Sequence, residues 1–115
     1  MGKQQVDTSI NSINILVSNT QVKGEIISDG DFRMDGTLIG NISIKGKLVV
    51  GSTGKIEGNI ICQNADVSGI IVGNIIVEDL LIINASAEVD GDVALGKLSI
   101  EPGAKFSGKC EMKNS

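Results

Sequence analysis

The chain contains no histidine, tryptophan or tyrosine, and it has only two phenylalanines and one proline among its 115 residues. Without histidine it lacks the commonest general base and a common zinc ligand, so no Ser–His or Cys–His pair is available for catalysis. The net charge of −4 and the scarcity of aromatic residues exclude the basic stripe and stacking platform of nucleic-acid binders. We therefore expect no enzyme, no catalytic residues, no cofactor, no metal site and no nucleic-acid partner.

Cysteine is also scarce, with Cys62 and Cys110 standing far apart in the chain. Two cysteines cannot form the disulfide framework of a small secreted protein, and neither belongs to a Cys-x-x-Cys motif. Cys110 occupies an apolar position of a repeat described below. It is therefore predicted to be a small buried core residue.

Targeting signals and membrane spans are lacking as well. The longest apolar stretch, at residues 70–85, is interrupted by Asn74, Glu78 and Asp79, which argues against a transmembrane helix. The N-terminal sequence MGKQQVDTS lacks the apolar block of a secretory signal. We expect a cytoplasmic protein.

What the chain does have is glycine, at 15 positions, together with many isoleucines, valines and leucines. The pattern apolar–x–Gly–x–apolar, as in IEGNI at 56–60, recurs from end to end at a nearly constant interval. When the chain is laid over itself, residues 34–60 align with residues 67–93 without a gap. The first apolar residues of the copies are Val22, Leu38, Ile56, Ile71, Val89 and Phe106.

This repeat predicts an all-β fold. Apolar residues at every second position indicate short strands with one inward face, and glycine suits the bends between them. An antiparallel sandwich is the alternative, because Asp-Gly pairs favour hairpins, but the apolar pattern continues straight through them. About 17 residues per copy are too few for a strand and a crossover helix. We predict a single-stranded parallel β-helix of about six windings with an Ile/Val/Leu core.

Two sequence features resemble chemical sites without completing one. GSTGK at 51–55 lacks the first glycine and the following Ser or Thr of a phosphate-binding loop, so we interpret it as a bend. Four carboxylates occupy outward repeat positions and are interpreted as a solvated surface rather than an acid–base pair. They are Asp35, Glu57, Asp90 and Asp92.

The ends of such a coil expose unpaired backbone groups, and the sequence offers few prolines or charges to cover them. The repeat continues to Cys110, and the two phenylalanines lie in the first coil (Phe32) and the last (Phe106). Ends of this kind favour end-to-end stacking of subunits.

Residues 20–42 (TQVKGEIISDGDFRMDGTLIGNI) and 98–112 (LSIEPGAKFSGKCEM) resemble the two ends of the bactofilin domain, a polymer-forming bacterial cytoskeletal family. The resemblance implies a right-handed β-helix with a triangular core and nucleotide-free, non-polar filaments that join like ends. It also implies frequent membrane association and recruitment of cell-wall or morphogenesis proteins. Phe106 matches the family's apolar residue at the filament contact.

We therefore predict an N-terminal tail at 1–18, flexible or covering an edge, a β-helix domain at 19–112 and a short tail at 113–115. The expected function is a cytoskeletal subunit that polymerises with itself and serves as a scaffold, in the cytoplasm or at the inner face of the cytoplasmic membrane. The alternative is a discrete adaptor that binds another protein through a flat face. The expected polymer contacts are Leu98, Ile100, Phe106, Val22, Ile26 and Phe32. Residues of the tail expected to cover an edge or to touch a membrane weakly, if at all, are Ile10, Ile13, Ile15, Leu16 and Val17.

Overall fold

The computed structural model describes residues 4–8 and 14–112, and in these residues the chain forms strands joined by short bends. Every strand pairing in this part of the chain is parallel, as the repeat predicts and a sandwich of hairpins would not allow. The strands are β1 (Gln4–Thr8), β2 (Asn14–Leu16), β3 (Gln21–Ser28), β4 (Phe32–Met34), β5 (Thr37–Ile44), β6 (Lys47–Val50), β7 (Lys55–Glu57), β8 (Ile60–Cys62), β9 (Asn64–Val67), β10 (Ile70–Val72), β11 (Ile75–Ile83), β12 (Glu88–Ile100) and β13 (Lys105–Met112).

The strands wind into a coil of about six turns with three faces. Face 1 consists of the first half of β3 and β5, then β7, β10 and the beginnings of β12 and β13. Face 2 contains the second half of β3 and β5, then β8, the beginning of β11 and the middle of β12, and finally the second half of β13. Face 3 contains β2, β4, β6, β9 and the ends of β11 and β12. Coil 1 consists of β3 and β4, and coil 2 of β5 and β6. Coil 3 contains β7, β8 and β9, and coil 4 contains β10 and β11. Coil 5 is β12 and coil 6 is β13.

The strand register confirms the sequence repeat residue by residue. Each first apolar residue of the pentapeptide lies directly over the next, because the strands pair in parallel with matching positions. This column on face 1 runs through Val22, Leu38, Ile56, Ile71, Val89 and Phe106. The uneven spacing of the copies is absorbed in the bends, so the inward positions stay aligned.

The central glycine of the pentapeptide forms the corner between face 1 and face 2. Gly73 has φ of 141°, in the region that side-chain-bearing residues rarely adopt. A Cβ at Gly73 would also overlap the carbonyl oxygen of Gly58 in the coil below. Glycine is therefore required at this corner both by backbone conformation and by the close approach of successive coils.

The interior is filled chiefly by isoleucine, valine and leucine, as predicted from the scarcity of aromatic residues, together with Phe32, Met34 and Cys62. Fully buried columns include Ile26, Ile42, Ile60 and Ile75 on face 2. Polar side chains instead connect the coils from outside. Asn41 Oδ1 accepts a hydrogen bond of 3.2 Å from the backbone N–H of Asn59, and this pairing keeps neighbouring coils in register.

Side-chain bonds of the same kind occur on face 3. Asn84 Nδ2 donates to Asp66 Oδ1 at 2.6 Å and to Ser68 Oγ at 2.8 Å, both in the preceding coil. The segment GSTGK forms a tight bend closed by a 2.9 Å hydrogen bond from Gly54 N to Gly51 O. Its backbone therefore belongs to the coil, as the sequence indicated.

Candidate functional site: the two ends of the coil

The C-terminal end of the coil is open among the described residues. Coil 6 consists of β13 alone, which supplies faces 1 and 2 and pairs on one edge with β12. The last part of β12, on face 3, likewise pairs with β11 on one edge. Because a strand edge carries unpaired N–H and C=O groups, this end presents both backbone donors and acceptors to a further strand.

The open end also exposes side chains that belong to the core columns. Ile100 continues the column of the fully buried Ile83 but is 46% exposed. Met112 continues the column of the buried Leu95 and is 53% exposed. Leu98, Ala104 and Phe106 are only partly buried against the core. The end is thus an apolar surface made of residues whose counterparts one coil earlier are covered.

Cys110 corrects one expectation from the sequence. It occupies the predicted apolar column, directly over Val93, yet its side chain is exposed because no described residue stacks on coil 6. Cys62, by contrast, lies inside coil 3, and burial raises the pKa of its thiol to about 12. The two thiols therefore differ sharply in accessibility.

At the N-terminal end, coil 1 is covered in part by β1 and β2, which themselves pair on one edge only. β1 pairs with β3, placing Gln4 beside Gly24 and Thr8 beside Ser28, while β2 pairs with β4. The carbonyl of Leu16 also accepts hydrogen bonds from Asp35 N at 2.8 Å and Gly36 N at 3.0 Å. The two strands form an incomplete turn over coil 1, so this end differs from the open one.

The residues predicted as polymer contacts therefore fall into two groups. Leu98, Ile100 and Phe106 lie together at the open end, as the sequence suggested. The remaining three are buried within the subunit, and their role in a polymer contact stays a prediction. These buried residues are Val22, Ile26 and Phe32.

The apolar residues of the N-terminal tail are likewise divided. Ile10 and Ile13 lie outside the described residues. Leu16 is partly buried against the core, whereas Ile15 and Val17 on either side of it are exposed. β2 thus directs one side chain inward and leaves its neighbours available for contacts.

The outward carboxylates do not assemble into a chemical centre within residues 15–112. Asp35 accepts a 2.8 Å hydrogen bond from Arg33 Nε, which raises the pKa of that guanidinium, and Glu57 lies 3.1 Å from Lys55 Nζ. Asp90 and Asp92 are exposed. In this part of the chain no group of three or more His, Cys, Asp or Glu side chains is placed to hold a metal ion. None of the described segments is a helix long and apolar enough to cross a membrane.

One surface was missed by the sequence analysis. Ile27, Ile61 and Ile76 point outward from face 2, although nothing but strand alternation distinguishes them from buried isoleucines. The signal that could have revealed them is that each directly follows a residue of the buried isoleucine column on face 2, namely Ile26, Ile60 or Ile75.

Comparisons with known proteins agree with this architecture. The bactofilin family profile, described as polymer-forming cytoskeletal, matches residues 14–111. Bactofilin BacO of Myxococcus xanthus (strain DK1622) is 32% identical over 105 residues, covering 91% of this chain and 83% of BacO. The solid-state NMR structure of the cytoskeletal bactofilin BacA matches with a TM-score of 0.80 and 28% identity, covering 90% of this chain and 98% of that one. The parallel coil, its apolar columns and these matches show that the chain belongs to the bactofilin family of structural, cytoskeletal proteins.

Proposed function

We propose that this chain assembles end to end, without nucleotide, into non-polar filaments that act as a scaffold for cell-shape or cell-envelope proteins. The observation that supports this function is the open C-terminal end, where Ile100, Phe106 and Met112 continue columns that are buried in the coil before. Covering these side chains removes apolar surface from water, which stabilises the assembly by a free energy of roughly 25 cal/mol per Å² buried.

A second copy of the same end is the natural partner for this surface. When two identical ends meet about a two-fold axis, each apolar patch covers the other, and the strands on the face crossed by the axis meet antiparallel. Edge N–H and C=O groups then find partners across the junction. Joining like ends makes a pair with no direction, which is the origin of a non-polar filament.

A filament also needs a second junction, and we assign it to the N-terminal end. Val22, Ile26 and Phe32 are buried in the structure, with β1 and β2 paired onto the same coil. In our proposal β1 and β2 leave coil 1, and the uncovered coil pairs with coil 1 of another subunit. Release of these strands then sets when filaments grow beyond pairs.

The tail released in this way carries Ile15 and Val17, which are already exposed. We propose that the filament lies in the cytoplasm at the inner face of the membrane, with at most weak direct contact through these side chains. Recruitment of envelope proteins then depends on the lateral faces of the coil.

The first experiment compares Phe106→Arg with the wild-type chain by negative-stain electron microscopy and sedimentation, with neither nucleotide nor metal added. We expect filaments from the wild type and none from the variant, because an unpaired charge in a dry junction costs several kcal/mol. Val72→Arg is the matched control, since it adds the same charge to an exposed residue on the side of the coil. Normal filaments from Phe106→Arg, or small particles from the wild type at every salt and concentration tried, would contradict the proposal. The second of these results would favour the discrete adaptor.

Deleting residues 2–17 tests the N-terminal junction. The deletion removes both β1 and β2, so coil 1 is uncovered and filaments are expected to form at a lower protein concentration. In combination with Phe106→Arg, the deletion should give pairs through the N-terminal ends and nothing longer. A deletion variant that polymerises less readily than the full chain would show instead that β1 and β2 are part of the junction.

A further inference from the structure

We infer that face 2 is a docking surface for a basic amphipathic helix of a partner protein. The inference deepens the scaffold role proposed above, on which it rests, by assigning it a surface and a class of partner. It depends on an apolar stripe, on the charges beside that stripe and on the spacing of the coils.

The stripe is a single outward column on face 2. Ile27 is 40% exposed, Ile61 50% and Ile76 40%, and Ala94 follows in the next coil. Ser43 is the one polar residue between them. Isolated exposed apolar side chains need no explanation, but Ile61, Ile76 and Ala94 occupy three successive coils and form a continuous apolar surface.

Shallow depressions follow this column. Ile61 and Ile76 line a depression of about 400 Å³, with Lys45 and Glu78 at its border toward face 3. Toward the C-terminal end, Ile76 and Ala94 line another of about 690 Å³. The side chains of a partner lying along the stripe can therefore pack into these depressions rather than rest on a flat sheet.

The charges on face 2 and its corner toward face 3 are mostly negative. Two lysines, Lys45 and Lys109, are present, and Lys45 Nζ lies 3.8 Å from Asp29 Oδ1. Face 1 is balanced, with three lysines and three carboxylates in its outward positions. The carboxylates around the stripe are Glu25, Asp29, Glu78, Asp79, Asp92 and Glu111. An apolar stripe between carboxylates fits a partner that carries Lys or Arg beside its apolar residues.

The geometry favours a helix lying along the coil axis. Successive coils are ~4.8 Å apart, as paired strands are. Side chains at i and i+3 or i+4 of an α-helix are ~5–6 Å apart, so one apolar edge of a helix matches the column over several turns. A second copy of face 2 is disfavoured because two acidic surfaces repel, and an anionic bilayer is disfavoured for the same reason.

The test uses a labelled synthetic helix of about 18 residues, with leucines at i, i+4, i+7 and i+11 and lysines beside them, read by fluorescence anisotropy. Its control has the same composition with the leucines dispersed. Binding is measured on the Phe106→Arg chain and on the wild type. The lateral surface is thus tested whether or not filaments form, and failure of assembly is seen separately by microscopy.

We expect Ile61→Ser with Ile76→Ser to weaken binding at least about tenfold, since both side chains lose their apolar contact. Serine is tolerated in this column, as Ser43 shows. The matched control is Ile70→Ser with Val72→Ser, which removes apolar residues of comparable exposure from face 1 and should change binding less than about twofold. A thermal melt of each variant verifies that the coil is folded.

A second pair of variants tests the charges. Glu78→Gln with Asp92→Asn should weaken binding severalfold and reduce its salt dependence, whereas Glu88→Gln with Asp90→Asn on face 1 should not. Equal effects of the two pairs, equal binding of the dispersed peptide, or absence of saturable binding would overturn the inference. The inference would also be overturned if the peptide does not bind the wild type and Ile61→Ser with Ile76→Ser abolishes either of two other interactions. One is side-by-side pairing of filaments, and the other is binding to anionic vesicles. Those results would assign face 2 to a second copy or to a membrane.

Discussion

On face 2, coils 5 and 6 contain side chains of the same kind in the same columns, yet those of coil 5 are buried and those of coil 6 are exposed. Val93 and Leu95 are buried in coil 5, while Cys110 and Met112 directly over them are exposed. Residue type does not distinguish these coils. Burial here depends on whether another coil follows, so a side chain in this fold is covered only when a neighbouring coil stacks on it.

The largest expected effect contrasts two glycines. Gly73→Ala should destabilise the subunit by about 4 kcal/mol or more. The Cβ of alanine would overlap a carbonyl of the coil below, and alanine would be strained at the φ of this position. Gly103, at the start of coil 6, has φ of 100°, but its nearest neighbour is 3.5 Å away at Ala85 O. Gly103→Ala should therefore cost only about 1–2 kcal/mol. Urea unfolding measures both free energies, and equal losses would contradict the distinction between a corner glycine packed on the coil below and a bend glycine with room beside it.

A smaller effect is expected from two leucines of one column. Leu81 is fully buried between Ala65 and Leu98, so Leu81→Ala should cost about 3 kcal/mol in the free energy of unfolding. Leu98→Ala should cost about 1 kcal/mol under dilute conditions, where its outer side stays in water. In filaments the Leu98→Ala penalty should grow, and a penalty independent of assembly would place Leu98 outside the junction.

The smallest effect concerns the two thiols and requires no change in stability. At pH 8 we expect Cys110 to react rapidly with a disulfide reagent and Cys62 only after unfolding, because Cys62 is buried with a pKa of about 12. Filament formation should slow the reaction of Cys110, as the junction covers it. Cys110→Ala should lack the fast phase, and a second rapid thiol in that variant would show that coil 3 opens readily.

The inward columns were predictable because the same apolar pattern recurs in the sequence once for each coil. Alternation identifies Ile56 and Ile71 as inward, and the gapless alignment of residues 34–60 with residues 67–93 assigns them to one column with Val89 and Leu38, which lie two coils away from Ile56 and Ile71, respectively. Repetition also marks the corner glycines, whose required φ and close packing recur in each coil. In these places local pattern and global fold carry the same information.

The ends were harder to predict, because the residue pattern of a column is the same whether or not a further coil covers its last member. Cys110 has the pattern of a buried residue and is exposed. β1 has the mostly polar sequence QQVDT and pairs with β3 through its backbone. It lacks the alternation of apolar residues from which a strand could be predicted. Face 2 was missed for a related reason: two adjacent isoleucines, such as Ile75 and Ile76, differ only in which side of the strand they occupy.

The stacking of columns has one more consequence, which concerns folding. Each coil contacts chiefly the coils before and after it, so the structure behaves as a one-dimensional array in which order propagates from any formed turn. A junction between like ends extends that array into the next molecule. The terminal turns of a free subunit are then the first to fray, and incorporation into a filament protects them. Amide hydrogen exchange in β13 is therefore a direct reporter of assembly.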